Sequence, residues 1–277
     1  MTTDWLSQHR NDSGLVILDC RIRMEPDGAG AFRYETARED YNAGHIPAAG
    51  FADLMVELRD TESPLVFALP SAADFCAAMG ALGVGDDSRV VLYDDFLSIW
   101  AARVWWMLRW VGFDRAAILD GGLTAWNAEG RPLSAEPAGK AARTLTPHVR
   151  PEVIADHPEV RAAVADGSAC LIDTMHGDHY QGAESFFGRP GRIQGASNLF
   201  SGDLVDESGR YKPDNELSKL VTGDRNARNI TYCGGGIMAS SNAFIMSRLG
   251  FTDVAVYIGS LQEWTADPAN PMEVGES

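Results

Sequence analysis

The chain has 277 residues, 45% hydrophobic and 22% charged, the composition of a folded globular protein and too long for one small domain. Its formal net charge of -16 opposes phosphate backbones and anionic lipid, which argues against nucleic acid or a membrane as the main partner. No apolar run approaches the roughly 18 residues that a membrane-spanning helix needs.

The N-terminus, Met1-Thr2-Thr3-Asp4-Trp5, has neither a basic patch nor the apolar stretch of a secretory leader, so the expected location is the cytoplasm. The first apolar run, Leu15-Val16-Ile17-Leu18, ends in Asp19 and reads as a buried strand. Gly44-His45-Ile46-Pro47 follows as a turn, and residues 71–82 have a helical pattern. Residues 89–94 form a second strand, leading to a helix over 100–111 that carries Trp100, Trp105, Trp106 and Trp110. Tryptophans at helical spacing belong in a core more often than in a substrate-stacking wall. Gly112-Phe113, a strand over 116–119, Asp120-Gly121-Gly122 and Trp126 complete this half.

The second half repeats the first. Its helix over 151–165 is followed by Cys170-Leu171-Ile172 ending in Asp173, and Gly191-Arg192-Ile193 answers Gly44-His45-Ile46. Asn229-Ile230-Thr231-Tyr232 is the matching strand, and its helix runs to Leu249 before Gly250-Phe251. Gly112 precedes Trp126 by the same interval that separates Gly250 from Trp264. Residues 136–150 are poor in large apolar side chains, carry Pro137 and Pro147, and read as a linker. The expected organisation is therefore an α/β domain over 1–135, the linker, and a second α/β domain over 151–277. In each, buried strands alternating with helices predict a small parallel sheet with helices on both faces.

The four cysteines, Cys20, Cys76, Cys170 and Cys233, include no CxxC pair, which fits neither a zinc site nor a disulfide framework and suits a reducing compartment. Cys233 alone ends a strand and opens a glycine-rich turn, Cys233-Gly234-Gly235-Gly236-Ile237-Met238, directly before a helix. Successive glycines let backbone N–H groups curl inward, and the helix dipole adds a positive end. That cradle stabilises a thiolate, the nucleophilic form of cysteine. The other three sit in strand or helix patterns, where a free cysteine is a small buried hydrophobe.

These features resemble the tandem-domain rhodanese-like sulfurtransferases, which include thiosulfate and 3-mercaptopyruvate sulfurtransferases. The resemblance covers nearly the whole chain. It rests on Gly44-His45-Ile46-Pro47, the 102–106 stretch, Asp120-Gly121-Gly122 with Trp126, the Cys233 loop, and Gly259-Ser260 with Glu263-Trp264. It implies that Cys233 carries sulfane sulfur as a persulfide, taken from a small donor and passed to cyanide or a thiol. It also implies that Gly234, Gly235, Gly236, Ile237 and Met238 offer N–H groups to that sulfur. Asp94 stands at the matching position of the first domain, which makes that domain an inactive copy, and no metal or organic cofactor is required.

The loop departs from the family pattern. Thiosulfate enzymes carry CRKGVT and mercaptopyruvate enzymes CGSGVT, whereas this chain reads CGGGIM. Two positions where the family places substrate arginines hold Met175 and His179, and Arg192 replaces a common histidine. His179 and Arg189 are the expected anion contacts, with Arg192 in reserve, and His45 is expected to be structural. A cysteine phosphatase needs an arginine six positions after the nucleophile, where Ala239 stands. The remaining alternative is a non-catalytic module that binds or senses sulfur.

Overall fold

The computed structural model describes residues 1–26, 32–221 and 223–275. The chain divides into two compact units, one comprising Met1–Glu62, Leu69–Arg150 and Asp206–Tyr211, the other Ser63–Ala68, Pro151–Val205 and Lys212–Ser277. Each unit thus holds a short segment drawn from the other half of the sequence.

The first unit is built on a four-stranded parallel sheet in the order Ala49–Phe51, Leu15–Asp19, Arg89–Tyr93, Ala116–Ile118. The second has a five-stranded parallel sheet in the order Ser197–Asn198, Cys170–Asp173, Asn229–Tyr232, Val254–Tyr257, Ile154–Ala155. Leu15–Asp19, Asn229–Tyr232 and Val254–Tyr257 are buried at every residue, which requires cover on both faces of each sheet. An antiparallel hairpin, Ile22–Pro26 with Phe32–Thr36, is an addition to the first unit that the hydrophobic pattern does not announce. Among the described residues, no helix is long and apolar enough to cross a membrane.

Local chemistry sets the helix ends. Ser71 and Asp156 cap their helices by accepting the Asp74 and Glu159 N–H groups, and Gly167 closes helix His157–Asp166 at a positive φ of 68°. The tryptophan-rich helix spans Ile99–Trp110, and Trp100 and Trp106 are buried in the core rather than forming a substrate wall.

The internal repeat is atomic as well as topological. Tyr93 donates its hydroxyl proton to Asp19 at 2.9 Å and accepts the Ile46 N–H at 3.1 Å. Tyr232 lies against Asp173 and accepts the Ile193 N–H at 2.9 Å. Tyr41 and Tyr180 donate to the Ala49 and Ala196 carbonyls, and the Trp126 and Trp264 indoles donate to those of Pro132 and Pro271. His45 stacks on Tyr41 with its Nδ1 2.8 Å from the Tyr41 carbonyl, and the Arg192 guanidinium covers Tyr180 at 4.2 Å. A histidine and an arginine thus fill equivalent places.

Residues 136–150 belong to the first unit and lie along it. Arg143, Thr146 and His148 donate their N–H groups to Gly80, Asp86 and Val111. The strand-end carboxylates differ between the units. Asp19 is bridged by Arg21 at 2.7 Å, whereas the matching position beside Asp173 is Met175. Burial pushes the Asp173 carboxyl up to about 6, while the Met175 N–H, the Tyr232 hydroxyl and the Arg192 charge pull it back.

A folded-state value above the unfolded one means that protonated Asp173 favours the fold. Its contribution is complete below about pH 4 and is lost as pH rises through about 6. Asp173→Asn keeps the Met175 contact and removes the charge. In urea unfolding at pH 8, this variant is expected to be more stable than the parent by roughly 2–3 kcal/mol, an advantage that disappears towards pH 4.

Candidate active site

Strand Asn229–Tyr232 ends at Cys233, and helix Ile237–Arg248 begins after Gly236, whose φ of 81° favours glycine. The Cys233 side chain is turned back toward this junction, and its Sγ accepts the Gly236 N–H at 3.1 Å. The Cys233 N–H donates to the Ser260 hydroxyl at 3.2 Å, and its carbonyl accepts the Leu261 N–H at 2.9 Å. Ser260 in turn donates to the Tyr257 carbonyl at 2.7 Å. The residue carrying the thiol is therefore anchored at both backbone ends, and it is only 3% exposed.

The equivalent loop of the first unit shows what the junction does to an anion. Asp94 follows strand Arg89–Tyr93, and its carbonyl accepts the Leu123 N–H just as that of Cys233 accepts Leu261. Its Oδ1 accepts the Phe96 and Ser98 N–H groups at 2.9 and 3.1 Å. Its Oδ2 accepts those of Trp100 and Ala101, both at 2.9 Å. Trp100 and Ala101 lie in the first turn of helix Ile99–Trp110, so the carboxylate occupies the anion site of the helix N-terminus. Burial pushes Asp94 up to about 7, against the opposing pull of these amides.

Aromatic side chains cover the Cys233 loop. A Cβ added at Gly234 would lie 2.1 Å from Phe187 Cζ, so this position has no room for a side chain unless the ring moves. At Gly235 the nearest atom is Phe67 Cδ2 at 3.4 Å, an ordinary contact. Segment Ser63–Ala68, which carries Phe67, is held in this unit by the Val66 N–H donating to Gln262 Oε1 at 3.1 Å. Neither ring was singled out by sequence reasoning. Phe186-Phe187, an aromatic pair in a polar, glycine-containing loop, is the one signal that could have found Phe187; Phe67 has none.

The expected anion contacts part company. His179 is fully buried, has no hydrogen-bond partner at either ring nitrogen, and lies between Phe186 and Phe187 with ring centroids 5.7 Å away on each side. Burial lowers its pKa and holds it neutral. Through Phe187 it is linked to Gly234. Arg189 instead donates to the Asp267 and Asn270 carbonyls at 3.1 and 2.9 Å. Arg192 donates to the Gly275 carbonyl at 2.7 Å and lies 3.5 Å from Glu273. His45 is fully buried with both ring nitrogens against the Tyr41 and Glu136 carbonyls, a structural placement. Burial pushes the Cys76 thiol up to about 11 and that of Cys20 well above the usual range, which suits inert core residues.

Comparison with known proteins matches residues 2–129 and 156–267 to the rhodanese-like domain. A probable 3-mercaptopyruvate sulfurtransferase of Pseudomonas aeruginosa is 32% identical, over 100% of this chain and 98% of that protein. Thiosulfate sulfurtransferase of Gallus gallus is 32% identical, over 95% and 92% of the two chains. The crystal structure of the Escherichia coli 3-mercaptopyruvate sulfotransferase SseA superposes with a TM-score of 0.82 at 30% identity, covering 94% of this chain and 97% of that one.

The two loops should respond differently to losing their central side chain. Asp94→Ala deprives four amides of their acceptor and is expected to lower unfolding free energy by roughly 2–4 kcal/mol. Cys233→Ala removes the acceptor of one amide and should cost about 1 kcal/mol. Urea unfolding of both variants beside the parent measures the contrast; equal losses would show that the carboxylate is not held as described.

Proposed function

The chain belongs to the rhodanese-like sulfurtransferases, and on that footing we propose that Cys233 carries the transferred sulfur as a persulfide. The observation that supports this most directly is the Cys233 sulfur seated beneath the Gly236 amide at a strand-to-helix junction. The matching junction in the first unit holds the Asp94 carboxylate with four amides, which makes that unit the inactive copy.

The cycle has two halves. Thiolate Cys233 attacks the sulfur of a donor such as 3-mercaptopyruvate. The carbon–sulfur bond breaks, its electron pair remains on the carbon as pyruvate enolate, and that carbon takes a proton. A nucleophile such as cyanide or a thiolate then attacks the outer sulfur of the persulfide and leaves Cys233 as a thiolate. Amides from Gly234 to Met238 stabilise the negative charge on the terminal sulfur, an electrostatic role that needs no metal or organic cofactor.

Two observations favour an organic donor over thiosulfate. Phe187 fills the place beside Gly234 where thiosulfate enzymes of this family carry an arginine, and the loop itself, Cys233-Gly234-Gly235-Gly236-Ile237-Met238, holds no cation. Within the loop a doubly charged donor then lacks the charge-assisted contacts, each worth roughly 1.5–3 kcal/mol, that would offset its dehydration. The four unpaired cysteines fit a reducing compartment, for which the cytoplasm is the proposed setting.

Cys233→Ser is expected to abolish transfer to cyanide and the mass gain of one sulfur atom, while Cys20→Ser, Cys76→Ser and Cys170→Ser retain both. A persulfide surviving in Cys233→Ser would overturn the assignment.

For the parent protein, kcat/KM with 3-mercaptopyruvate should exceed that with thiosulfate by roughly tenfold or more. Efficient turnover of thiosulfate and none of mercaptopyruvate would contradict the reading of the loop.

A further inference from the structure

The junction loop of the first unit borders a cavity that the sulfur chemistry of the second does not use. From Asp94 to the start of helix Ile99–Trp110 this loop is one residue longer than the stretch from Cys233 to helix Ile237–Arg248. Leu97 and Ser98 take the left-handed conformation, with φ of 55° and 57°, and the Phe96 ring is 44% exposed. Between the loop and the turn at 206–209, which belongs to the same unit, lies an open cavity of about 190 Å³. Asp95, Phe96, Ser98, Thr124, Asp206 and Glu207 are among the residues that line it.

Hydrogen-bond donors are scarce there and acceptors are not. The four amides that converge at this junction are already taken by the Asp94 carboxylate. Asp95 and Glu207 enter no ion pair among the described residues. Arg21 acts on Asp95 by charge but is itself bound to Asp19 at 2.7 Å and to the Gly44 carbonyl. Asp206 closes its own turn through Oδ1, which leaves Oδ2 over. Ser98 is only 3% exposed, yet its hydroxyl has no hydrogen-bond partner among the described residues. A buried hydroxyl without a partner is costly to retain, and the cavity it lines is where a partner can enter. Among the described residues no three His, Cys, Asp or Glu side chains are grouped to hold a metal ion, which leaves an organic cation. An ammonium is a compact point charge with three donors, whereas a guanidinium is planar, stacks on an aromatic ring and reaches separate carboxylates with separate N–H groups. The net charge of -16 adds to its attraction.

We propose that this cavity of the first unit binds a monosubstituted guanidinium ion, with Asp95 and Glu207 as its charge partners, the Ser98 hydroxyl as an acceptor and Phe96 stacked on its face. The unit without a nucleophile thus keeps a recognition role. Nothing in the proposal depends on what Cys233 does, so the two readings stand or fall separately.

The test is titration calorimetry on the intact protein with ethylguanidinium chloride, far below denaturing concentrations, beside N-ethylurea, an uncharged molecule of closely similar shape. The parent should bind ethylguanidinium with a Kd at or below about 1 mM and roughly tenfold or more tighter than ethylurea. Asp95→Asn and Glu207→Gln, both at exposed positions where the fold is not at risk, should each weaken binding roughly tenfold. Ser98→Ala and Phe96→Ala should each weaken it roughly threefold. Nα-Acetylarginine N-methylamide carries the same group on a peptide backbone and separates the two sources. Affinity equal to that of ethylguanidinium supports the site with a peptide side chain as its source, and much weaker affinity supports it with a free small molecule. Equal affinity for ethylguanidinium and ethylurea, no measurable binding of either, or an affinity that none of the four variants moves overturns the site.

Discussion

A parallel strand that stops where a helix starts brings unpaired amides together in the core, and a buried anion is the natural partner for them. This chain builds that junction twice. In the first unit the partner is part of the polypeptide, the Asp94 carboxylate, and four amides hold it. In the second unit the partner is the sulfur of Cys233, with one amide at hydrogen-bond distance. The difference is one of occupancy. A carboxylate has two oxygens and meets four amides, whereas the single sulfur meets that of Gly236.

The supporting frame is the same in both units. A tyrosine at the strand end lies beside a carboxylate on the neighbouring strand and accepts the amide that follows the turn, Ile46 in one unit and Ile193 in the other. Such buried polar pairs specify strand register because a slip would leave every member unsatisfied. The charges around the frame differ between the units. Arg21 neutralises Asp19 in the first unit, and Met175 takes its place beside Asp173 in the second. In the second unit the cation near Asp173 is instead Arg192, which lies over Tyr180 and acts on the carboxyl by charge.

Much of this was legible in the sequence. Matched spacing revealed the duplication, and the triple glycine after a strand marked the cradle, because both signals are local. His179 was legible as a residue but not in its environment; its burial between two phenylalanines follows from the loop that carries them. Arg189 illustrates the limit. A cation near a proposed anion site suggests recognition, yet its guanidinium satisfies carbonyls of the 267–270 turn, far along the chain. Residues 136–150 look like a linker by composition, and the close approach at Gly80 and Gly112, where an added Cβ would meet Arg143 and His148 carbonyl oxygens at 2.4 and 2.6 Å, joins the hydrogen bonds of Arg143, Thr146 and His148 in revealing a strap fitted to the first unit. The Ser63–Ala68 segment has no sequence signature because its partner, Gln262, is almost two hundred residues away.

The segment Asp206–Tyr211 has a consequence for the order in which the protein is made. It belongs to the first unit, where Arg210 donates to the Asp120 carbonyl and pairs with Glu129, and the Tyr211 amide donates to Asp120. A chain emerging from the ribosome completes residues 1–150 long before this segment exists. The N-terminal sheet can form on emergence, but the Asp120–Glu129 surface must wait until over half of the second sheet's sequence has been synthesised. The first unit is therefore complete only once Tyr211 has been made, so a ribosome stalled between the halves would hold that unit without its last segment.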